Sequence, residues 1–239
     1  MTALRAQISA EVRMTLERGE TLLVTIGIPV LLLVFFDLVK VLPTGDRHPV
    51  NFLAPGVLAL AVMSTAMVSL GIATGFERSY GVLKRLGATP LGRPRLLTAK
   101  IVAVLAVEVI QLAVLVAVAA ILGWRPHAGA GLAVAAELLA TSAFAGIGLA
   151  LAGSLRAEVN LALANALYIV LLLIGGIVFP LAKLGAFAGF AKLLPAAALS
   201  GVLHPALGAG AAGPAEAWIV LAAWAVVAPV VAALTFRWE

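Results

Sequence analysis

The stretch GFERSYGVLKRLGATPLGRPRLLTAK, residues 75–100, gathers six of the chain's sixteen Lys and Arg residues into one interval. Within it Phe76, Tyr80 and Leu83 recur at helical spacing and Leu86 continues roughly the same stripe, while Glu77, Arg78, Lys84 and Arg85 project elsewhere. The spacing predicts a short amphipathic helix over about 77–86, with an apolar stripe that requires a groove and a charged rim that requires countercharges. Gly87, Pro90, Gly92 and Pro94 follow as a helix-breaking turn ahead of Leu96. A basic loop bound to anionic lipid would also explain the charge, though not the aromatic stripe.

Glu108 and Glu137 raise a second kind of chemistry, because both fall inside long apolar runs. At the rise of a helix they lie roughly 15 Å and 9 Å from the nearer ends of those runs. Carboxylates at such depth face a protein interior or a water-filled path. They therefore read either as groups that contact a transported molecule or carry protons, or as hydrogen-bonded packing residues beside Gln111, Thr141 or Ser142. Asn165 fits an interhelical hydrogen bond and is a further candidate for such a path. Other chemistries are poorly supplied. His48, His127 and His204 form no ligand-spaced pair, so no metal is expected, and the chain has no cysteine. Ser200 and His204 lack the glycine frame of a nucleophile motif. No G-x-x-x-x-G-K-[ST] run is present to cradle nucleotide phosphates, so energy must come from a partner or an ion gradient.

The elements that position these residues follow from composition. A mean hydropathy of +1.14 with 11% charged residues is far from the roughly one quarter charged of soluble domains, and implies an all-α, polytopic membrane protein. The basic excess then marks sidedness, and nucleic acid is not an expected partner. Leu4, Ile8, Val12 and Leu16 predict an amphipathic interface helix within 1–20, with Glu11 on its polar side and Gly19 as its stop. It does not read as a removable signal peptide. Six spans are expected at about 21–42, 52–75, 97–122, 131–153, 160–182 and 215–236. One face then collects Arg5, Arg13, Arg18, the six basic residues of the opening stretch, Arg156 and Arg237. The other has Lys40, Arg47, Arg125, Lys183 and Lys192. Eleven against five puts both termini and the 76–96 loop in the cytoplasm. Trp124 and Trp218 read as outer interfacial anchors and Trp238 as an inner one. Residues 183–214, broken by Pro195, Pro205 and several glycines, suit two short re-entrant helices on the outer side. Gly71 with Gly75, and Gly148 with Ala152, offer faces for close helix approach. No internal repeat is detectable, so 1–239 reads as one membrane domain.

The residues quoted at the outset resemble the cytoplasmic loop of the ABC-2 type permeases. In that family a Glu-Arg pair opens the loop, a G-x-L-K-R-L-x-A-T-P-L run follows, and a basic residue precedes the third span. Here these are Glu77-Arg78, Gly81 to Leu91, and Lys100. The N-terminal helix, six spans and broken segment extend the resemblance over the whole chain, and its compactness is similar to that of the drug-efflux, daunorubicin-resistance-like members. The resemblance implies that 77–86 is a coupling helix seated on a separate ATP-binding subunit, with Phe76, Tyr80 and Leu83 as anchors and Glu77, Arg78, Lys84 and Arg85 at the rim. It implies that ATP and magnesium are held by that subunit and not by this chain, which is no enzyme itself. It further implies pairing with a second copy or a paralogue, export of a hydrophobic or amphipathic molecule, and a bacterial inner membrane. The family commonly has another acidic residue beside the opening glutamate, where this chain has Ser79 and Tyr80. A proton-coupled secondary transporter using Glu108 and Glu137 is the alternative.

Overall fold

The computed structural model describes residues 3–17, 19–39, 49–88, 92–126, 129–177 and 181–237. Arg18, Lys40, Arg47, His48, Pro90, His127 and Trp238 lie outside the described residues, as does the side chain of Arg93. Among the described residues every regular element is helical. Helix α1 (Ala3–Glu17) precedes α2 (Gly19–Val39), and a continuous rod, Val50–Ser79, comprises α3 (Val50–Met63), a π-helical segment Ser64–Ser69, and α4 (Leu70–Ser79). Then come α5 (Val82–Gly87), α6 (Arg93–Ile121), α7 (Ala130–Ser154) and α8 (Ala157–Ile174), a 3-10 turn Leu181–Phe187, α9 (Ala188–Ala191), α10 (Pro195–Ala209) and α11 (Ala215–Thr235).

Six of these helices are long and apolar enough to cross a membrane, and the segment Lys183–Ala191 meets α10 at a bend of 109°. The bend falls just before Pro195, as expected, whereas Pro205 does not break the segment and lies inside α10. The rod and α7 form the buried centre, and α10 packs beside them with Ala196–Ser200 buried. Helices α2, α6, α8 and α11 turn mostly exposed aliphatic faces outward, as lipid-facing helices do. Gly71 and Gly148 are where rod and α7 come closest. A Cβ at Gly71 would stand 3.1 Å from the Cα of Gly148, and one at Gly148 would stand 2.5 Å from the Met67 carbonyl. The small-residue faces read from the sequence thus meet each other.

Two of the prolines inside helices are accommodated by side chains from neighbouring helices. Pro29 has no N–H for the carbonyl of Thr25, one turn back, and Gln111 Nε2 on α6 donates to that carbonyl at 2.7 Å. Pro229 likewise strands the carbonyl of Ala225, and Ser142 on α7 donates its hydroxyl there at 2.8 Å. Backbone polar groups in hydrocarbon must be satisfied within the protein, which is why these polar side chains point where they do. Gln111 Oε1 also accepts from Thr65 at 2.9 Å, at the start of the π-helical segment. One amide therefore holds α2, the rod and α6 together.

Three expectations are corrected. The predicted helix over 77–86 does not form as one piece: the second span runs on to Ser79, the chain breaks at Tyr80–Gly81, and α5 begins at Val82. Gly81 has φ +70°, a conformation side chains resist, so periodicity crossed a break that only the glycine signalled. The fifth span ends at Ile174, well short of 182, because Gly175 and Gly176 follow and Gly176 also has positive φ. Trp124 is buried in the core instead of anchoring at an interface.

Candidate functional site

Hydrogen bonds gather four sequence-distant pieces at one end of the bundle. Lys100, in the second turn of α6, donates to Glu77 Oε2 on α4 at 2.6 Å and to Glu11 Oε2 on α1 at 3.2 Å. Glu11 Oε1 accepts from Gln7 at 2.9 Å. Arg78 donates to the carbonyl of Gly153 at 2.5 Å and to that of Leu155, at the C-terminus of α7, where helix carbonyls lack intrahelical donors. The backbone N–H of Arg237 donates to the same Gly153 carbonyl at 3.2 Å. The interface helix, the 76–96 loop, the connection α7–α8 and the end of α11 therefore share one face. Arg78, Lys100 and Arg237, three of the basic residues that sequence reading assigned to the cytoplasm, lie there. At the other end Trp218 donates to Ala212, Trp224 to Leu193, and Lys192 pairs with Glu216 at 3.4 Å.

The seven residues expected on the coupling helix divide by this geometry. Glu77 and Arg78 are engaged within the chain, by Lys100 and by the end of α7. Leu83 is fully buried and Leu86 packs against the core, so α5 is anchored to its own membrane domain by those two leucines. Phe76 is half-buried, its ring 6.0 Å from that of Tyr80. Tyr80 is 71% exposed, and Val82, Lys84 and Arg85 are exposed beside it. The outward edge straddles the break at Gly81, with Tyr80 before it and Val82, Lys84 and Arg85 after it, while Leu83 turns inward.

Lys100 and Glu11 are buried charged residues whose meeting the sequence reading missed. Lys100 is 2% exposed, although it served only as the basic residue before the third span, and Glu11 is buried instead of lying on a solvated face. A lysine already inside an apolar run was the available signal, since such a charge must find a partner. An ammonium this buried is tolerable only because two carboxylates face it.

A groove of about 730 Å³ opens between α2, the rod and α8. Glu20, Phe76, Glu77, Tyr80, Asn165 and Tyr168 supply its polar and aromatic lining, and Val24, Ile28 and Leu32 are among its aliphatic walls. Asn165 is exposed to this groove and bonds only its own helix, to Leu161. The interhelical amide is instead Asn160, which donates to Gly71 at 2.8 Å. Glu108 and Glu137 do not line the groove. They are buried between α6 and α7, where Thr141 Oγ1 donates to Glu108 Oε2 at 2.5 Å and lies 2.9 Å from the Glu137 carbonyl. Glu108 Oε1 has no hydrogen-bond partner among the described residues. The three candidate pathway residues thus fall at two places. Ser200 Oγ lies 2.8 Å from the Gly176 carbonyl, to which it donates, and 3.2 Å from His204 Nδ1.

A family model for the ABC-2 type transporter matches residues 2–203, from α1 into α10. No curated protein matches the chain.

Proposed function

Since the chain belongs to the ABC-2 type transporter family, we propose that it is the membrane subunit of an ATP-driven exporter. A separate ATP-binding subunit would hold ATP and magnesium and dock on the exposed edge Tyr80, Val82, Lys84 and Arg85. That edge carries the reading. It runs from Tyr80, at the end of the rod, across Gly81 onto the six-residue helix α5, and is connected through Glu77 and Arg78 to the interior of the membrane domain. Closure of the ATP-binding subunit moves α5, α5 moves the end of the rod, and the rod forms one wall of the groove. The groove's aliphatic walls and aromatic base suit a hydrophobic or amphipathic cargo, drug-like or lipid-like, taken from the cytoplasm or the inner leaflet. A second copy or a paralogue would complete the pathway. The placement is a bacterial inner membrane with both termini cytoplasmic, the side favoured by the basic residues.

Inside-out vesicles carrying the complex should accumulate a hydrophobic fluorescent dye when ATP is added, and a Tyr80→Ala/Arg85→Ala variant at equal abundance should lose that accumulation. Leu83 is left intact because its truncation would open a cavity inside the chain. ATP-dependent uptake unchanged in the double variant would remove the docking assignment.

One observation favours a second reading. The unpartnered, buried Oε1 of Glu108 beside Glu137 would suit a proton carrier in a secondary transporter. That reading requires dye movement driven by a pH gradient without nucleotide, and its loss in Glu108→Gln.

A further inference from the structure

The triad of Glu11, Lys100 and Glu77, its lysine buried, joins three elements: the N-terminal helix α1, the third span α6 and the last turn of the rod. Two carboxylates share one ammonium: Lys100 and Glu11 are buried, while Glu77 is partly exposed. The sharing is unequal, 2.6 Å to Glu77 and 3.2 Å to Glu11. A cavity of about 60 Å³, lined by all three charged residues together with Thr15, Thr25 and Ser69, gives the ammonium room to shift between its partners. Glu77 also borders the large groove on its other side, and it lies three residues before Tyr80, where the exposed edge begins.

We infer that Lys100 is the positioning residue through which displacement of the 80–87 segment reaches the third span and the interface helix. The inference rests on the exporter reading. The short bond to Glu77 makes α6 follow the end of the rod, and the looser bond to Glu11 lets α1 trail without being torn free. A lysine placed only for stability would serve equally well if the whole triad were replaced by neutral groups, because buried ion pairs are often matched by uncharged side chains of similar volume. A lysine that transmits motion would not.

The test compares Lys100→Met with the neutral triple variant Glu11→Gln/Glu77→Gln/Lys100→Met, in the complex purified with its ATP-binding subunit. Readouts are thermal stability and the ratio of dye transported to ATP hydrolysed. Lys100→Met strands the buried carboxylate of Glu11 and the partly buried one of Glu77 and is expected to lose both stability and ratio. The triple variant is expected to recover stability while its ratio stays at least tenfold below wild type. A ratio that recovers together with stability would overturn the inference and make the triad a stabilising contact alone. If the triple variant does not insert, the single carboxamides decide. Glu77→Gln should lower the ratio severalfold and Glu11→Gln should leave it within twofold, whereas equal ratios overturn the proposal. A wild-type complex without ATP-dependent transport would instead defeat the exporter reading, so the two failures are distinguishable.

Discussion

Ser142→Ala removes the one side-chain donor that, among the described residues, reaches the Ala225 carbonyl from outside its helix, and Pro229 cannot supply another. Interhelical hydrogen bonds in membrane proteins average about 0.6 kcal/mol and reach roughly 1.7. Here the alternative is a carbonyl stranded between packed helices, so a value near the top of that range, about 1.5 kcal/mol, is expected. Pro229→Ala returns an N–H one turn after Ala225, so the backbone can close the same bond itself. In that background Ser142→Ala should cost only about 0.5 kcal/mol, the scale of a bond whose acceptor retains a partner. The double-mutant cycle then gives a coupling of about 1 kcal/mol. Equilibrium unfolding of the four proteins in mixed micelles measures it. Strictly additive costs would refute the idea that the serine is placed to serve the proline, and would leave the bond as an incidental contact.

Gly148→Ala puts a methyl group 2.5 Å from the Met67 carbonyl and should cost roughly 1–3 kcal/mol by forcing the rod and α7 apart. Gly131→Ala on the same helix meets nothing within 4 Å, so in parallel thermal melts it should be neutral or slightly stabilising. Gly81→Ala also meets no atom, but its φ of +70° should cost about 1–2 kcal/mol of local order, read as faster hydrogen exchange over 80–88 with the spans unaffected. Glu108→Gln keeps an acceptor for Thr141 and should leave ATP-dependent dye uptake intact. Complete loss of uptake at normal abundance would favour the proton-carrier reading.

The helical class and the six spans were legible in the sequence because hydrocarbon imposes a length and a composition that few other structures satisfy. The small-residue faces at Gly71 and Gly148 were legible from spacing, though not that they meet each other. What periodicity could not see was a single left-handed residue. Phe76, Tyr80 and Leu83 keep helical spacing through Gly81, yet the break sends Leu83 inward and leaves Tyr80 outside. Sidedness came from counting basic residues, and that count treated Lys100 as one more surface charge. Its burial depends on Glu11 and Glu77, 89 and 23 residues away, and no local pattern encodes such a meeting. Asn165 and Asn160 differ by little more than one turn of α8. Only the packing of Gly75 against Asn160 shows which amide faces the rod and which faces the groove.

The most direct test of the central claim is to purify the chain from its host membrane in mild detergent and identify by mass spectrometry what accompanies it. The account predicts a stoichiometric ATP-binding subunit, retained with wild type and lost with Tyr80→Ala/Arg85→Ala. A chain that purifies alone and still moves dye in liposomes under a proton gradient would contradict it.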